Sequence, residues 1–163
     1  MAYRLTLGEL CHQLAHAHKD RPAVTEVATD QTMSYLELEQ FTNRIAHGFR
    51  PLTHANTAYV GIMHESSLSY LAMTYALKKL AFVEVSINRA FRGPALVRMI
   101  NLTQAEILMT SPSHFHQLQE VIDDLPHLKQ LLVTDGLAQA QELFPQLKIV
   151  IFISLAANLS VFA

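Results

Sequence analysis

Short apolar runs alternate with stretches of helical periodicity over the middle of this chain, from about residue 58 to residue 135. The apolar runs show little polar alternation, which is typical of strands that are buried on both faces of a parallel sheet. The sequence predicts four such strands, at Tyr59–Met63, Phe82–Val85, Glu106–Thr110 and Leu131–Val133.

The segments between these runs carry the signals of helix ends and turns. Ser67–Lys79 repeats apolar residues on one face and ends in two lysines, where cations interact favourably with the helix dipole. Further along are a helix start at Gly93-Pro94, a candidate helix cap at Ser113 and the turn pair Asp135-Gly136. The helix after the candidate cap is expected to bury Leu118, Val121, Ile122 and Leu125. We therefore predict an α/β fold, a mostly parallel sheet with helices on both faces.

A separate helix is predicted before this block. Ser34 and Glu37 stand three residues apart in the order of a capping box, in which each side chain accepts from the other residue's backbone amide. Apolar side chains then recur at helical spacing, at Leu38, Phe41, Ile45 and Phe49.

The two ends of the chain carry no membrane or export signal that we recognise. Met1–Lys19 predicts an amphipathic helix with Leu7, Leu10 and Leu14 on its apolar face, and no basic segment precedes an apolar stretch as in a signal peptide. The apolar run Ile149–Ala163 is shorter than the roughly 20 residues that a membrane helix needs. We therefore predict a cytoplasmic protein that does not enter a membrane.

Composition narrows the class of protein further. Hydrophobic residues make up 50% of the chain and charged residues 16%, which excludes an intrinsically disordered chain. The formal net charge of -2 gives no basic footprint for nucleic acid. Cys11 is the one cysteine, so neither an intrachain disulfide nor a cysteine-based zinc site can form.

Histidines form the most suggestive cluster of candidate ligands. His12 and His16 are four residues apart and share one helix face, with His18 close by. Neither a third ligand at a suitable spacing nor a glutamate between the pair accompanies them, so we interpret them as a solvated polar face. His114 and His116 are two residues apart at a predicted helix start, and they fit a metal site even less well.

The candidate nucleophiles and acids have equally plain interpretations. The chain contains no Gly-x-Ser-x-Gly motif, so a nucleophile elbow is excluded. Cys11 precedes His12, but neighbouring helical residues diverge by about 100°, and we interpret the cysteine as buried and inert. Asp123-Asp124 is interpreted as a solvated loop entry, because carboxylates that work as acid and base usually face each other across a cleft.

Phosphate binding is the decisive test for nucleotide chemistry. Close approach of backbone amides to a phosphate generally requires glycine. The chain has five widely separated glycines, which are Gly8, Gly48, Gly61, Gly93 and Gly136. Thr110–Ser113 offers hydroxyls, but it contains no glycine, and Pro112 lacks an amide hydrogen. The residues alone therefore predict no catalytic, cofactor-binding or metal-binding residue in this chain.

Two segments resemble one enzyme family. Residues 34–38 and 43–46 (SYLEL and NRIA) resemble the early "S/T-Y-x-E-L … N-R-x-A" helix of the acyl-adenylating, or AMP-binding, enzymes. Residues 59–108 resemble a longer family stretch through YVGIM, the helix up to Lys79, AFVEVSIN at 81–88, and AEIL at 105–108. The pattern V-E-V-x-I-N-x-A-x-x-G at 83–93 is most like that of crotonobetaine/carnitine-CoA ligases.

This resemblance implies a specific activity for the full-length family. Such enzymes use ATP and Mg²⁺ to convert a carboxylate into an acyl-adenylate, release pyrophosphate and transfer the acyl group to coenzyme A, as in fatty acid metabolism. Residues 1–135 are expected to form part of the N-terminal subdomain of such an acyl-CoA ligase, so the fold is incomplete, and residues 136–163 an atypical apolar tail. Carnitine-type, fatty and aromatic carboxylates all remain open.

Several motifs of the resembled family do not occur in these 163 residues. They include the glycine-rich phosphate loop expected after Leu132, the Y-G-x-T-E motif, the ribose-binding aspartate, the hinge and the C-terminal lysine. Leu80 stands where the family usually has glycine and Ser86 where it usually has proline; a left-handed cap at Leu80 costs about 1 kcal/mol relative to glycine. We expect the reading frame to end early, and this chain alone to bind no ATP, Mg²⁺ or coenzyme A and to be inactive.

Two other functions stay open. One is a non-catalytic interaction or scaffold protein derived from such a ligase, whose open sheet edge and apolar faces are covered by self-association or by a partner chain. The other is a membrane-tethered fragment that uses the run from Ile149.

Overall fold

The computed structural model describes residues 5–53 and 58–157 of the chain. Its helices are α1 (Leu7–His18), α2 (Tyr35–Phe49), α3 (Leu68–Lys79), α4 (Gly93–Thr103), α5 (Phe115–Gln119), α6 (Leu137–Leu143) and α7 (Phe152–Ala157). Its strands are β1 (Pro22–Glu26), β2 (Gln31–Ser34), β3 (Tyr59–Met63), β4 (Val83–Ser86), β5 (Ile107–Thr110), β6 (Gln130–Val133) and β7 (Lys148–Ile151). The described residues form two compact units, the first from 5–53, 66–81 and 155–157 and the second from 58–65 and 82–154.

Reciprocal caps fix the starts of two helices in the first unit. Ser34 Oγ accepts from the amide of Glu37 at 3.2 Å, and the Glu37 carboxylate accepts from the amide of Ser34 at 2.8 Å, which confirms the predicted capping box of α2. Thr6 and Glu9 form the same arrangement at α1, with distances of 3.2 and 2.7 Å. Both helices therefore begin where a hydroxyl and a glutamate stand three residues apart.

An antiparallel hairpin that the sequence analysis did not predict precedes α2. β1 and β2 pair in a register that places Glu26 opposite Gln31 and Pro22 opposite Ser34. Every residue of the two strands is exposed or half-buried. Because neither strand is covered by a core, its sequence needs neither an apolar run nor a clean alternation of apolar and polar positions, and it shows neither.

The side of α1 that packs inward combines small residues with Leu14, which is half-buried as predicted. Leu7 and Leu10 are each 40% exposed, which corrects the prediction that they lie on a buried face. Ala15 is buried instead, and a Cβ atom added to Gly8 would lie 3.4 Å from Lys79 Cγ on α3. The close approach of α1 to Lys79 at Gly8 explains why the residue at that position is small.

A buried ion pair joins α2 to α3. Lys79 Nζ lies 2.6 Å from Glu39 Oε2, and the two side chains are 11% and 9% exposed. Asn43 contacts both partners, since its Oδ1 accepts from Lys79 at 2.7 Å and its Nδ2 donates to Glu39 Oε1 at 3.3 Å. Burial raises the pKa of the Glu39 carboxyl, but Lys79 and the hydrogen bonds outweigh burial and hold that pKa below its usual value.

The second unit contains a five-stranded parallel sheet in the order β4-β3-β5-β6-β7. All four predicted strands are present, within a residue or so of their expected bounds. Side chains of α4, α5 and α6 pack against one face together with Met63, Leu108 and Leu131. The other face is also apolar and buried, through Val60, Ile62, Ile107, Met109 and Leu132. The predicted α/β class with a parallel sheet flanked by helices is confirmed.

The helix expected after Ser113 is short and interrupted. Ser113 lies inside a 3-10 turn, Pro112–His114, and no side-chain cap opens that turn or α5. The backbone leaves helical geometry at Val121, where φ is -127°, and a second 3-10 turn follows at Ile122–Asp124. Leu118, Val121 and Leu125 are nevertheless buried. The apolar pattern therefore predicted correctly that these residues are buried, but it predicted a longer helix than the structure has.

The left-handed residue after α3 is Ala81 and not Leu80. Leu80 has φ -84° and ψ -5°, in the right-handed region, so the prediction of a strained left-handed cap at Leu80 is wrong. Ala81 has a φ of 57°, a conformation that favours glycine because it has no Cβ atom.

The described part of the apolar run near the C-terminus forms the last strand of the sheet and the short helix α7. Lys148–Ile151 forms β7, which pairs in parallel with β6 at an edge of the sheet. This strand was not predicted, and residues 158–163 of the predicted apolar tail lie outside the described residues. Within the described ranges, no helix is long and apolar enough to cross a membrane. The boundary of family resemblance at residue 135 stays a prediction.

Candidate functional site

The carboxyl edge of the parallel sheet is where a site is expected in this fold. β3 pairs with β4 on one side and with β5 on the other, so the strand order reverses at β3. In open α/β sheets, ligands bind beyond the carboxyl ends of the strands at such a switch point. The residues that directly follow β3 and β5 are therefore the first candidates.

Glu65 lies at the centre of a polar cluster at this edge. Its Oε2 accepts a hydrogen bond from Ser111 Oγ at 2.8 Å, and its Oε1 lies 3.0 Å from His114 Nε2. Arg89, from the loop after β4, approaches Oε1 to 3.9 Å. Burial raises the pKa of the Glu65 carboxyl, but hydrogen bonds and the neighbouring imidazoles outweigh it and lower that pKa overall. Glu65 is therefore an anion that ties the end of β3 to the end of β5.

His114 is the buried base of the cluster. Its exposed fraction is 7%, and its Nε2 makes no hydrogen bond to any described residue despite its closeness to Glu65. Burial lowers the pKa of His114, the Glu65 carboxylate opposes this, and Arg89 adds to the lowering. The imidazole is therefore neutral at neutral pH.

His64 connects the same edge to β6. Its Nδ1 lies 2.8 Å from the Glu65 carbonyl oxygen, which can only accept, so Nδ1 carries the proton. In the neutral ring Nε2 is then the acceptor for Thr134 Oγ1 at 2.9 Å. Three strand ends are thus joined by side chains from His64, Glu65, Ser111, His114 and Thr134.

This arrangement binds and orients, but it does not form a nucleophilic triad. The Ser111 hydroxyl donates to the Glu65 carboxylate, whereas a triad requires the hydroxyl to face the imidazole. Over the described part of the chain, no three His, Cys, Asp or Glu side chains converge to hold a metal ion. The contacts of the cluster connect the segments that follow β3, β5 and β6.

The residues singled out from sequence lie in three separate places. His12, His16 and Cys11 are on α1, and burial raises the pKa of the half-buried Cys11 thiol. His114 joins the cluster at the sheet edge, whereas His116 is 87% exposed and pairs with Glu120. The pair Asp123-Asp124 forms a 3-10 turn.

Sequence reasoning missed Glu65, His64 and Arg89. A signal was available, because the predicted strand ends at Met63 and Thr110 place His64, Glu65 and Ser111 directly beyond two neighbouring parallel strands. Their pairing depends on the strand order, which puts β5 beside β3 and cannot be read from periodicity.

Comparison with known proteins identifies the family. The profile of the AMP-binding enzyme family matches residues 11–149, most of the chain. This chain belongs to the AMP-binding enzyme family, which confirms that part of the sequence resemblance.

The similar curated proteins are acyl-CoA ligases. The chain is 22% identical over 138 residues to 4-coumarate-CoA ligase 1 of Narcissus pseudonarcissus, and the aligned region covers 85% of this chain and 24% of that protein. It is 22% identical over 135 residues to a medium/long-chain-fatty-acid--CoA/3-oxocholest-4-en-26-oate--CoA ligase of Mycobacterium tuberculosis, covering 83% and 24%. The chain thus spans about a quarter of the length of the curated relatives it matches.

A solved structure supports the fold independently. The N-terminal domain of FACL13 from Mycobacterium tuberculosis matches with a TM-score of 0.77 at 20% identity, over 85% of this chain and 36% of that one. At this level of identity the match establishes a shared fold. The chain corresponds to an N-terminal portion of the adenylate-forming architecture.

Proposed function

We propose that this chain is the N-terminal part of an AMP-forming acyl-CoA ligase. The observation that carries the proposal is the family match over residues 11–149, in a chain whose five-stranded parallel sheet has the fold of a relative's N-terminal domain. The complete enzyme activates a carboxylic acid with ATP and Mg²⁺ and transfers the acyl group to coenzyme A. Fatty and aromatic acids are the first substrate classes to test, and the crotonobetaine/carnitine type suggested by residues 83–93 is a third. We place the protein in the cytoplasm.

We further propose that these 163 residues alone do not catalyse adenylation. The two glycines with positive φ among the described residues, Gly93 at 46° and Gly136 at 68°, each stand singly at a helix start. The polar cluster at the carboxyl edge of the sheet presents the Glu65 carboxylate, which repels a phosphate. Stabilisation of a transferring phosphoryl group requires preorganised donors, and at this edge the hydroxyl of Ser111 and the guanidinium of Arg89 already face the Glu65 carboxylate.

ATP–pyrophosphate exchange tests both statements. We expect the purified chain, with Mg²⁺ and fatty, aromatic or quaternary-ammonium carboxylates, to exchange no more label than a blank without protein. A full-length ligase of the 4-coumarate type serves as the positive control. Exchange that saturates with one carboxylate and scales with chain concentration would contradict inactivity of the isolated chain.

A chimera separates the ligase assignment from inactivity. Residues 11–149 replace the matching part of the Mycobacterium tuberculosis ligase, and circular dichroism confirms that the product is folded. We expect measurable exchange with a fatty acid, because the transplanted part has the same architecture. A folded chimera without exchange contradicts the assignment as a ligase part.

A non-catalytic, self-associating protein is the second candidate function. Tyr59 and Val83 lie side by side in the register of β3 and β4, both are exposed, and β4 is an edge strand. Such an edge can pair with a second copy. In sedimentation velocity, a dimer that Val83→Lys converts to monomer favours this candidate; a monomer at all concentrations contradicts it.

A further inference from the structure

Two histidines stand together on the exposed side of α1. The ring centroids of His12 and His16 are 4.5 Å apart and the ring planes make an angle of 76°. Both side chains are exposed to solvent, the His12 side chain by 62%. His18 is separate from this pair, because its ring packs against Tyr35 with centroids 5.1 Å apart.

A carboxylate from α2 faces one of the two rings. Glu39 Oε1 lies 3.4 Å from His12 Nδ1. An imidazole that faces a carboxylate through Nδ1 carries its proton on that nitrogen, which leaves the Nε2 lone pair free of the proton. Metal-binding histidines typically have an outer carboxylate in this position, where it fixes the tautomer and the orientation of the ring.

Glu39 is held in place independently of the histidines. Lys79 Nζ binds its Oε2 at 2.6 Å, and Asn43 Nδ2 donates to its Oε1 at 3.3 Å. The ion pair neutralises the carboxylate, so Glu39 orients His12 and is not itself a direct ligand. The direct ligands are then two imidazoles, a set that suits Cu²⁺, Ni²⁺ or Zn²⁺ rather than Mg²⁺ or Ca²⁺.

We propose that His12 and His16 bind one divalent transition-metal ion, each through one imidazole nitrogen, and that Glu39 orients His12. Water completes the coordination, because no third His, Cys, Asp or Glu among the described residues converges on this point. His12 keeps its contact with Glu39 while its Nε2 faces the ion, and the exposed His16 side chain turns toward the same point. This site lies within the first unit and does not depend on the ligase assignment.

Titration with CuCl₂ tests the site, since Cu²⁺ gives the highest affinity among these ions for a nitrogen site. Isothermal titration calorimetry near pH 7.5, where most histidines are neutral, should show one saturable equivalent. Electron paramagnetic resonance should show coupling to two imidazole nitrogens. The melting temperature should rise with Cu²⁺, because the ion binds the folded chain.

Matched variants decide the outcome. We expect His12→Gln and His16→Gln to lose the saturable equivalent and the metal-dependent rise in melting temperature, while their melting temperature without metal stays close to that of the parent. His47→Gln removes an exposed histidine from α2 and should retain both signals. The proposal is overturned if His16→Gln still binds the equivalent, if His47→Gln loses as much, or if MgCl₂ raises the melting temperature equally.

Discussion

The two units of this chain differ in where their charged side chains lie. The first unit buries an ion pair, Lys79 with Glu39, between two helices. In the second unit the sheet packs through apolar side chains, while Glu65 and Arg89 lie at its carboxyl edge and remain partly exposed. We therefore expect the stability of the first unit to depend on the pairing of its buried charges, and that of the second unit on the packing of its apolar core.

Removal of one charge from the buried pair should give the largest effect. Lys79→Met leaves Glu39 buried without its cation, and we expect a loss of about 4 kcal/mol in the free energy of unfolding, measured by urea denaturation. The double variant Glu39→Leu/Lys79→Met should recover most of that loss, because two apolar side chains replace both charges. If the single and double variants are equally unstable, the pair does not behave as an isolated buried charge.

A cavity in the core of the second unit should give the next effect. Leu108→Ala removes a fully buried side chain on β5, and we expect a loss of about 3 kcal/mol in the free energy of unfolding. Leu102→Ala, at an exposed position on α4, is the matched control and should change stability little. Equal losses in the two variants would show that the sheet core does not determine the stability of this unit.

Acidification should destabilise the second unit through His114. Its pKa is lowered in the folded state, so the folded chain binds fewer protons than the unfolded chain, and stability is lost as the pH falls below the ordinary value of 6.5. The pKa of Glu65 is also lowered, but its contribution is lost only below about pH 4.5.

The variant His114→Gln should flatten the dependence of the urea midpoint on pH below the ordinary histidine value of 6.5, because the group whose pKa is lowered in the folded state has been removed. His116→Gln, at an exposed position on the same segment, should leave the dependence unchanged. A steep dependence that persists in His114→Gln would assign the effect to another group.

Relief of backbone strain after α3 should give the smallest effect. Ala81→Gly places glycine at a φ of 57° and should raise the free energy of unfolding by about 1 kcal/mol. Leu80→Gly is the control: its φ of -84° needs no glycine, so this variant should lower stability. A gain in Leu80→Gly and a loss in Ala81→Gly would contradict the assigned conformations.

The parallel strands of the second unit could be predicted because they are short and apolar throughout. β3 and β5 carry buried residues at nearly every position, so their composition alone indicates a strand covered on both faces. β7 was not predicted because its apolar residues continue into the run Ile149–Ala163 and so do not form a short run that ends at a turn signal; it lies at the sheet edge and is at most half-buried. The hairpin was not predicted for a different reason, since β1 and β2 bury no residue fully.

The candidate site was less accessible to sequence reasoning than the fold. In the sequence, Ser111 belongs to the hydroxyl-rich segment Thr110–Ser113 and His114 stands two residues from His116, so near neighbours give no sign of a distant partner. Their partner Glu65 lies 46 residues from Ser111, and the contact follows from the pairing of β5 with β3. Long-range pairing of strands depends on the whole sheet, so local pattern does not reveal it.

The segments of the two units alternate along the chain, and this order has a consequence for folding during translation. β3 leaves the ribosome before α3, yet α3 belongs to the first unit and β3 to the second. Neither unit is therefore a single continuous stretch, and the first cannot complete itself during translation until residues 155–157 have emerged, after the whole of the stretch 82–154 that belongs to the second unit. An attempt to express either unit separately must join segments that are distant in the sequence, across α3 for the second unit and across both 58–65 and 82–154 for the first, rather than stop the chain at one position.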